Sequence, residues 1–291
     1  MKIPILITGS NGQLGWELQR TAPDNVKLHC YDVDTLDICD LEAVQALCEK
    51  LRPTWIINAA AYTAVDKAEA NQEIAYAVNA DGAANLATAA KNCQSYLLHI
   101  STDFIFSGNQ GKPYQVDDSP DPKSVYGATK LAGEQKVREI LGDEALIVRT
   151  AWVYSTHGNN FVKTLLNLMQ KHQQLTIIGD QIGTPTWANG LANALWHAIE
   201  KNITGTQHWT DAGVASWYDF AIAIQEEAIS LGLLDNSIPV LPIRTEDYPL
   251  PAQRPACGVL NKTDFWQQLG YSAPHWQRAL RSMLTELKTQ L

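Results

Sequence analysis

Through the first half of the chain, short apolar runs alternate with longer stretches of helical period. Runs of strand type are Ile3–Thr8, Lys27–Tyr31, Trp55–Asn58, Tyr96–Ser101 and Ala145–Thr150. Helix-like stretches near Gln13–Ala22, Leu41–Leu51, Gln72–Cys93 and Val125–Leu141 lie between them. Such alternation is the mark of parallel strands joined by crossover helices. It predicts an α/β fold with a doubly wound parallel sheet of Rossmann type over residues 1–150. The segment Ala75–Ala90 reads as good helix former, its small residues suited to close packing on a sheet.

Beyond residue 150 the character changes. Turn-rich segments at Gly179–Pro185, Pro239–Pro242 and Tyr248–Pro255 separate helical patterns at Phe161–His172, Ala188–Ile199, Trp217–Leu231 and Trp276–Leu287. The tryptophans concentrate here, from Trp152 onward. Residues 151–291 therefore read mainly as a smaller substrate-binding lobe over the carboxyl ends of the strands, with some segments returning to the first domain.

Composition narrows the classes. Apolar residues make up 45% of the 291 and charged residues 18%, an ordinary globular profile. A net charge of −9 argues against a nucleic-acid surface, which needs Lys and Arg to neutralise phosphates. No run of roughly 18 apolar residues predicts a membrane span, and the N-terminus lacks the pattern of a signal peptide. Cys30, Cys39, Cys48, Cys93 and Cys257 are odd in number and scattered, which fits reduced thiols in a cytoplasm rather than zinc or disulfides.

Gly9-Ser10-Asn11-Gly12-Gln13-Leu14-Gly15 follows the first strand and opens the first helix. Glycines at that spacing allow a tight turn and let backbone N–H groups approach a pyrophosphate at the positive helix end. Asp32 falls just after the second strand, about 20 residues further on, where a carboxylate accepts hydrogen bonds from an adenosine ribose. With Asp34, Asp37 and Asp40 nearby, a solvated acidic loop is the other reading, and Asp37-Ile38 is an alternative adenine contact. Either NADH or NADPH fits. At the end of the third strand, Asn58-Ala59-Ala60-Ala61-Tyr62-Thr63 offers side chains small enough to pass a dinucleotide.

Tyr126 and Lys130 stand four apart, on one face of a helix. A free phenol titrates near 10, and a neighbouring ammonium favours its phenolate, drawing the tyrosine toward useful proton transfer. Thr102, closing the fourth strand, is placed to donate a hydrogen bond to a substrate carbonyl. A glycine turn, a strand-end Thr and a helical Tyr/Lys pair follow one another in the order a carbonyl reductase requires.

These residues resemble the extended short-chain dehydrogenase/reductase family. The blocks Ala64–Glu69, Ser101–Gly108, Val125–Glu134, Arg149–Tyr154, Gly158–Phe161 and Tyr248–Pro255 are similar to its dTDP-4-dehydrorhamnose reductase branch. The resemblance implies hydride transfer from a nicotinamide to the 4-keto carbon of a dTDP-sugar, with Thr102, Tyr126 and Lys130 as the catalytic group. It implies cofactor contacts at Gly12, Gln13, Leu14, Asp32, Asp37, Ile38, Ala61, Tyr62 and Thr63, beside Gly9, Asn11 and Gly15 of the turn. Substrate contacts are implied at Thr102, Asp103, Trp152, Asn160 and Arg254. A 4,6-dehydratase needs a glutamate directly after Thr102-Asp103, where this chain has Phe104. An epimerase of this type carries small residues there, and a non-catalytic dinucleotide-binding regulator has no need of the Tyr/Lys pair. The family can also bind Mg²⁺ through acidic side chains between subunits. Glu17 matches one such position, but Asn189 stands where a glutamate is expected. Loss of that carboxylate weakens a hard-cation site, so catalysis without metal is expected, in a monomer or a homodimer.

Overall fold

A computed structural model describes residues 2–290; Met1 and Leu291 lie outside the described residues. The first half comprises β1 (Ile3–Thr8), α1 (Gln13–Arg20), β2 (Val26–Tyr31), α2 (Leu41–Leu51), β3 (Trp55–Asn58), α3 (Val65–Ala70), α4 (Gln72–Tyr76), α5 (Gly82–Cys93), β4 (Tyr96–Thr102), α6 (Val125–Leu141) and β5 (Ala145–Thr150). The remainder adds β6 (Val153–Tyr154), α7 (Phe161–Lys171), β7 (Leu175–Ile178), β8 (Ile182–Gly183), β9 (Thr186–Trp187), α8 (Ala188–Glu200), β10 (Gly205–His208), β11 (Ala215–Ser216), α9 (Trp217–Ser230), β12 (Val240–Ile243), α10 (Thr263–Leu269) and α11 (Trp276–Thr289).

Six strands form one sheet in the order β10-β5-β4-β3-β1-β2. Every pairing is parallel. The chain starts in β1 and builds outward on both sides, so the winding reverses between β1 and β3. Open α/β sheets bind their ligands beyond the carboxyl ends of the strands at such a point.

Alternate residues of each strand face opposite layers. Ile5, Ile7, Trp55, Ile57 and Leu98 bury against Leu14 and Leu18 of α1 and Leu191, Leu195 and Trp196 of α8. Leu6, Ile56, Leu97 and Ile147 bury against Val44, Leu86 and Val137 on the other face. Each such side chain contributes about 1.5–3 kcal/mol of transfer free energy. A further cluster unites α7, α9 and α11 through Leu165, Phe220, Ile224, Leu280 and Leu284. Residues after 150 thus serve both the sheet and a core of their own.

Two features depart from the hydrophobic pattern. The edge strand β10 reads Gly205-Thr206-Gln207-His208, without one aliphatic side chain, yet pairs with β5 over its whole length. The helix expected over 72–93 is interrupted: Ala77–Asp81 winds as a π-turn between α4 and α5. The widened turn carries Asn79, whose buried amide accepts from Tyr62 N–H at 2.8 Å and donates to Tyr62 C=O at 3.1 Å and to Thr129 Oγ1 at 3.0 Å. Those side-chain bonds offset the poorer helical geometry, and π-turns recur at functional sites for this reason.

No helix among the described residues is long and apolar enough to cross a membrane. One buried ion pair ties α6 to the sheet: Arg149 of β5 donates to Glu134 through Nε at 2.9 Å and Nη2 at 2.8 Å. The same guanidinium donates to Val116 C=O at 2.8 Å and lies 5.3 Å over the Phe106 ring. With Glu134 removed, Arg149 stays buried without a counter-charge, a loss worth about 3–5 kcal/mol. Glu134→Ala is therefore expected to lower the unfolding free energy by that amount in urea titration, and a variant within experimental error of the parent would contradict the pairing.

Candidate active site

A cavity of about 730 Å³ opens beyond the carboxyl ends of β1, β3 and β4. Gly9, Asn11, Gly12, Gln13 and Leu14 of the glycine turn line it, together with Asp32, Asp37 and Ile38 after β2. Ala61, Tyr62 and Thr63 follow from β3, and Thr102, Asp103, Tyr126, Lys130 and Trp152 complete the wall. Residues as far apart in the chain as Gly9 and Trp152 are thus gathered around one space.

The turn owes its shape to close backbone approach. Gly9 has φ +71°, and a Cβ there would stand 2.5 Å from Ala60 N. Gly15 does not line the cavity; it lets α1 close upon the Gly9 carbonyl, so its part is packing. Gly12 caps α1 without a side-chain bond, and the first turn holds no acid. The helix therefore presents free N–H groups and its positive end to the cavity, which suits a pyrophosphate. Asp32 accepts from Asn11 N–H and from Val33 N–H, each at 2.8 Å.

Beneath the site runs a row of polar side chains in sheet register: Thr8, Asn58 and His99 on β1, β3 and β4. Thr8 Oγ1 donates to Asn58 Oδ1 at 3.0 Å, and Asn58 Nδ2 donates to His99 Nδ1 at 3.0 Å. Burial, aided by the Lys130 charge, holds His99 well below its ordinary pKa, so the ring is neutral.

Thr102, Tyr126 and Lys130 converge at the tip of β4. Thr102 Oγ1 donates to Asp103 Oδ1 at 3.1 Å and accepts from Phe104 N–H at 3.2 Å. Ser124 caps α6 by accepting from Gly127 N–H at 3.1 Å, which starts the helix just before Tyr126. Lys130 is buried, and its Nζ donates to Ile100 C=O at 2.6 Å. The phenyl ring of Phe104 meets Tyr126 edge-on at 5.5 Å.

The electrostatics correct one expectation. The Tyr126 phenol is pushed up to about 12, not down, because burial opposes the phenolate; the Thr102 hydroxyl works against this and the Asp103 charge adds to it. Lys130 is itself pushed down to about 8 by burial, with Glu134 partly restoring its charge. Burial also lifts Asp103 to about 7 against the hydrogen bonds that favour its carboxylate. At neutral pH the phenol is a protonated acid, the state from which it can give a proton.

Two expected substrate residues lie elsewhere. Asn160 is absent from the cavity wall: it caps α7 by accepting from Lys163 N–H at 3.1 Å, while its Nδ2 donates to Gln13 Oε1 and Ser155 C=O at 3.0 and 2.7 Å. Arg254 lines a second, largely apolar cavity of about 350 Å³ with Trp217, Tyr248 and Leu250. There it is gripped by Asp66, through Nη1 at 3.0 Å and Nη2 at 2.6 Å. Trp152 of the first cavity has φ +48° and stacks on Trp217 of the second with centroids 3.5 Å apart.

Sequence reasoning missed other groups. Asn79 shapes the Tyr62 loop, and its one trace was a polar side chain within an Ala-rich helix. Ser101 Oγ and Thr150 Oγ1 line the cavity without any partner in the protein.

Residues 1–289 match the family model described as RmlD substrate binding domain. The dTDP-4-dehydrorhamnose reductase of Escherichia coli K12 is 40% identical over 296 aligned positions, covering 98% of each chain. The chain belongs to the dTDP-4-dehydrorhamnose reductase family. A crystal structure of the Clostridium acetobutylicum family member superposes with a TM-score of 0.92 at 40% identity, covering 98% of this chain and all of that one. The Bacillus anthracis reductase, crystallised with NADP, gives the same score at 36% identity and covers 98% of this chain and all of its own. The uncapped end of α1 and the cavity beside it fit a nicotinamide dinucleotide, the cofactor class seen in that relative's crystal structure.

The raised carboxyl of Asp103 has a consequence for stability. Its folded value of about 7 lies above the ordinary 3.8, so its stabilising protonated form is complete below about pH 4 and is lost as pH rises through about 7. Asp103→Asn carries no such titration. The melting temperature of the parent relative to this variant is expected to fall between pH 4 and pH 8, followed by thermal unfolding across that range; a constant difference would contradict the burial argument.

Proposed function

We propose that this reductase converts the 4-keto group of dTDP-4-dehydro-L-rhamnose to the alcohol of dTDP-L-rhamnose, with Thr102, Tyr126 and Lys130 as its catalytic residues. The observation that carries the proposal is their convergence on the cavity that also holds the glycine turn. A reduced nicotinamide dinucleotide, NADPH or NADH, supplies the hydride when bound. Gly9, Asn11, Gly12, Gln13 and Leu14 would hold its pyrophosphate, Asp32, Asp37 and Ile38 its adenosine, and Ala61, Tyr62 and Thr63 its centre.

Thr102 donates a hydrogen bond to the keto oxygen, where negative charge develops as the carbon is reduced. Tyr126 gives its phenolic proton to that oxygen, leaving C4 with the new C–H bond and the oxygen as a hydroxyl. Its upward-shifted pKa keeps the proton in place until the oxygen becomes the stronger base. The Lys130 ammonium stabilises the resulting phenolate and orients the nicotinamide ribose, a task for which the Ile100 carbonyl already fixes its position. Phe104 supports reduction over dehydration, since a phenyl edge beside Tyr126 cannot move a proton.

Trp152 covers the sugar, with Asp103 beside it. The nucleotide then extends past the Trp152–Trp217 stack into the second cavity, where aromatic and aliphatic walls suit a thymine base. Arg254 meets the diphosphate as a rigid fork, oriented beforehand by Asp66. Five unpaired cysteines support a reducing cytoplasm as the place of work.

Tyr126→Phe tests the proposal. It is expected to bind NAD(P)H as the parent does, by fluorescence titration, while losing on the order of 10²–10⁴-fold in turnover of the dTDP-4-keto sugar, followed by absorbance of the reduced nicotinamide. Turnover near that of the parent would move the proton donor elsewhere.

A further inference from the structure

The far side of α1 from the cavity rests on an ionic cluster whose inner member is Glu17, while Arg20 and Glu286 keep contact with solvent. Glu17 is fully buried, and both of its carboxylate oxygens are occupied. Oε1 accepts from Ser155 Oγ at 2.9 Å; Oε2 accepts from Arg20 Nε at 2.5 Å and Asn189 Nδ2 at 3.0 Å. The Arg20 guanidinium continues to Glu286 on α11 at 2.7 Å, and Glu286 also accepts from Thr156 Oγ1 at 3.1 Å. Helices α1, α8 and α11 and the segment after β6 therefore meet around the two carboxylates that one guanidinium joins.

This is the place where resemblance implies a magnesium ion, and the donor set does not fit one. Mg²⁺ demands near-octahedral oxygen ligands and keeps several waters. Glu17 has no exposed surface and accepts three hydrogen bonds already. Asn189, in the expected glutamate's position, turns its N–H toward Glu17, and its Oδ1 accepts from Asn193 at 3.2 Å. Donors point at the carboxylate from the directions a cation would need. Among the described residues, no three acidic, His or Cys side chains converge as metal ligands.

We infer that the Arg20 guanidinium performs the joining role of a divalent cation, uniting Glu17 and Glu286 within a single chain and seating α1 without metal or partner subunit. The replacement of a carboxylate by Asn189 belongs to the same arrangement. Two carboxylates against one guanidinium leave a single excess charge, shared with Ser155, Thr156 and Asn189 as donors, whereas a third carboxylate beside buried Glu17 would need a further cation. The cluster also reaches the glycine turn, because the segment that supplies Ser155 and Thr156 continues to His157 and Asn160. These touch Asn11 C=O at 2.9 Å and Gln13 Oε1 at 3.0 Å.

The test does not depend on turnover, so it stands or falls apart from the assigned reaction. MgCl₂ is titrated calorimetrically into the intact protein, and melting and sedimentation are compared in Mg²⁺ and in EDTA. No binding heat, an unchanged Tm and one mass in both conditions are expected. Saturable Mg²⁺ uptake that raises Tm and vanishes in Glu17→Gln overturns the inference. Arg20→Met strands two carboxylates and is expected to lower Tm by roughly 5–10 °C. Adding Glu17→Gln to Arg20→Met should recover part of that loss, since no buried carboxylate then lacks a counter-charge. Melting of Arg20→Met at the parent temperature overturns the inference, as does a double variant no better folded than the single one.

Discussion

The site depends on how closely α6 approaches the end of β4. Two glycines of that helix permit it: a Cβ on Gly127 would stand 2.2 Å from Phe104 O, and one on Gly133 the same distance from Asn79 O. With backbone against backbone, Lys130 reaches the Ile100 carbonyl and Tyr126 faces the cavity beside Thr102. The π-turn on the opposite side answers the same constraint, since it brings Asn79 to Thr129 of α6 and to the Tyr62 loop. The placement of these side chains is thus set by main-chain contact, which is stiffer than contact between long side chains.

Burial then determines charge. Tyr126 and Asp103 move up while Lys130 and His99 move down, each toward its neutral form. Carbonyl reduction begins with a neutral ketone and a protonated acid, which matches a phenol held in its protonated form. The same low polarity magnifies any charge that appears during reaction, and Thr102 is placed to meet it.

Away from the site, two buried carboxylates are each met by a guanidinium. Glu134 with Arg149 pins α6 to β5, and Glu17 with Arg20 and Glu286 pins α1 to α8 and α11. These are the two helices that carry Tyr126 with Lys130 and that follow the glycine turn. Buried pairs of this kind add little net stability beyond what apolar residues would supply, but breaking one is costly. They hold each helix to one register and one orientation.

By itself the sequence determined the first five strands of the sheet, most of the helices between them, the glycine turn and the Tyr126/Lys130 face. Each is a local matter, of apolar residues recurring at period 2 or 3.6 and of glycine where backbone crowds. Tertiary structure alone decided that polar β10 completes the sheet, that the Ala-rich helix widens at Asn79, and that Asn160 caps α7 instead of lining the cavity. It decided as well that Arg254 is held by Asp66 and that Arg20 reaches Glu286, 266 positions away. Those outcomes rest on polar groups seeking partners once the core has brought them near. A hydrogen bond between residues far apart in the chain leaves no periodic trace in either segment, and a pKa depends on burial that exists only after folding.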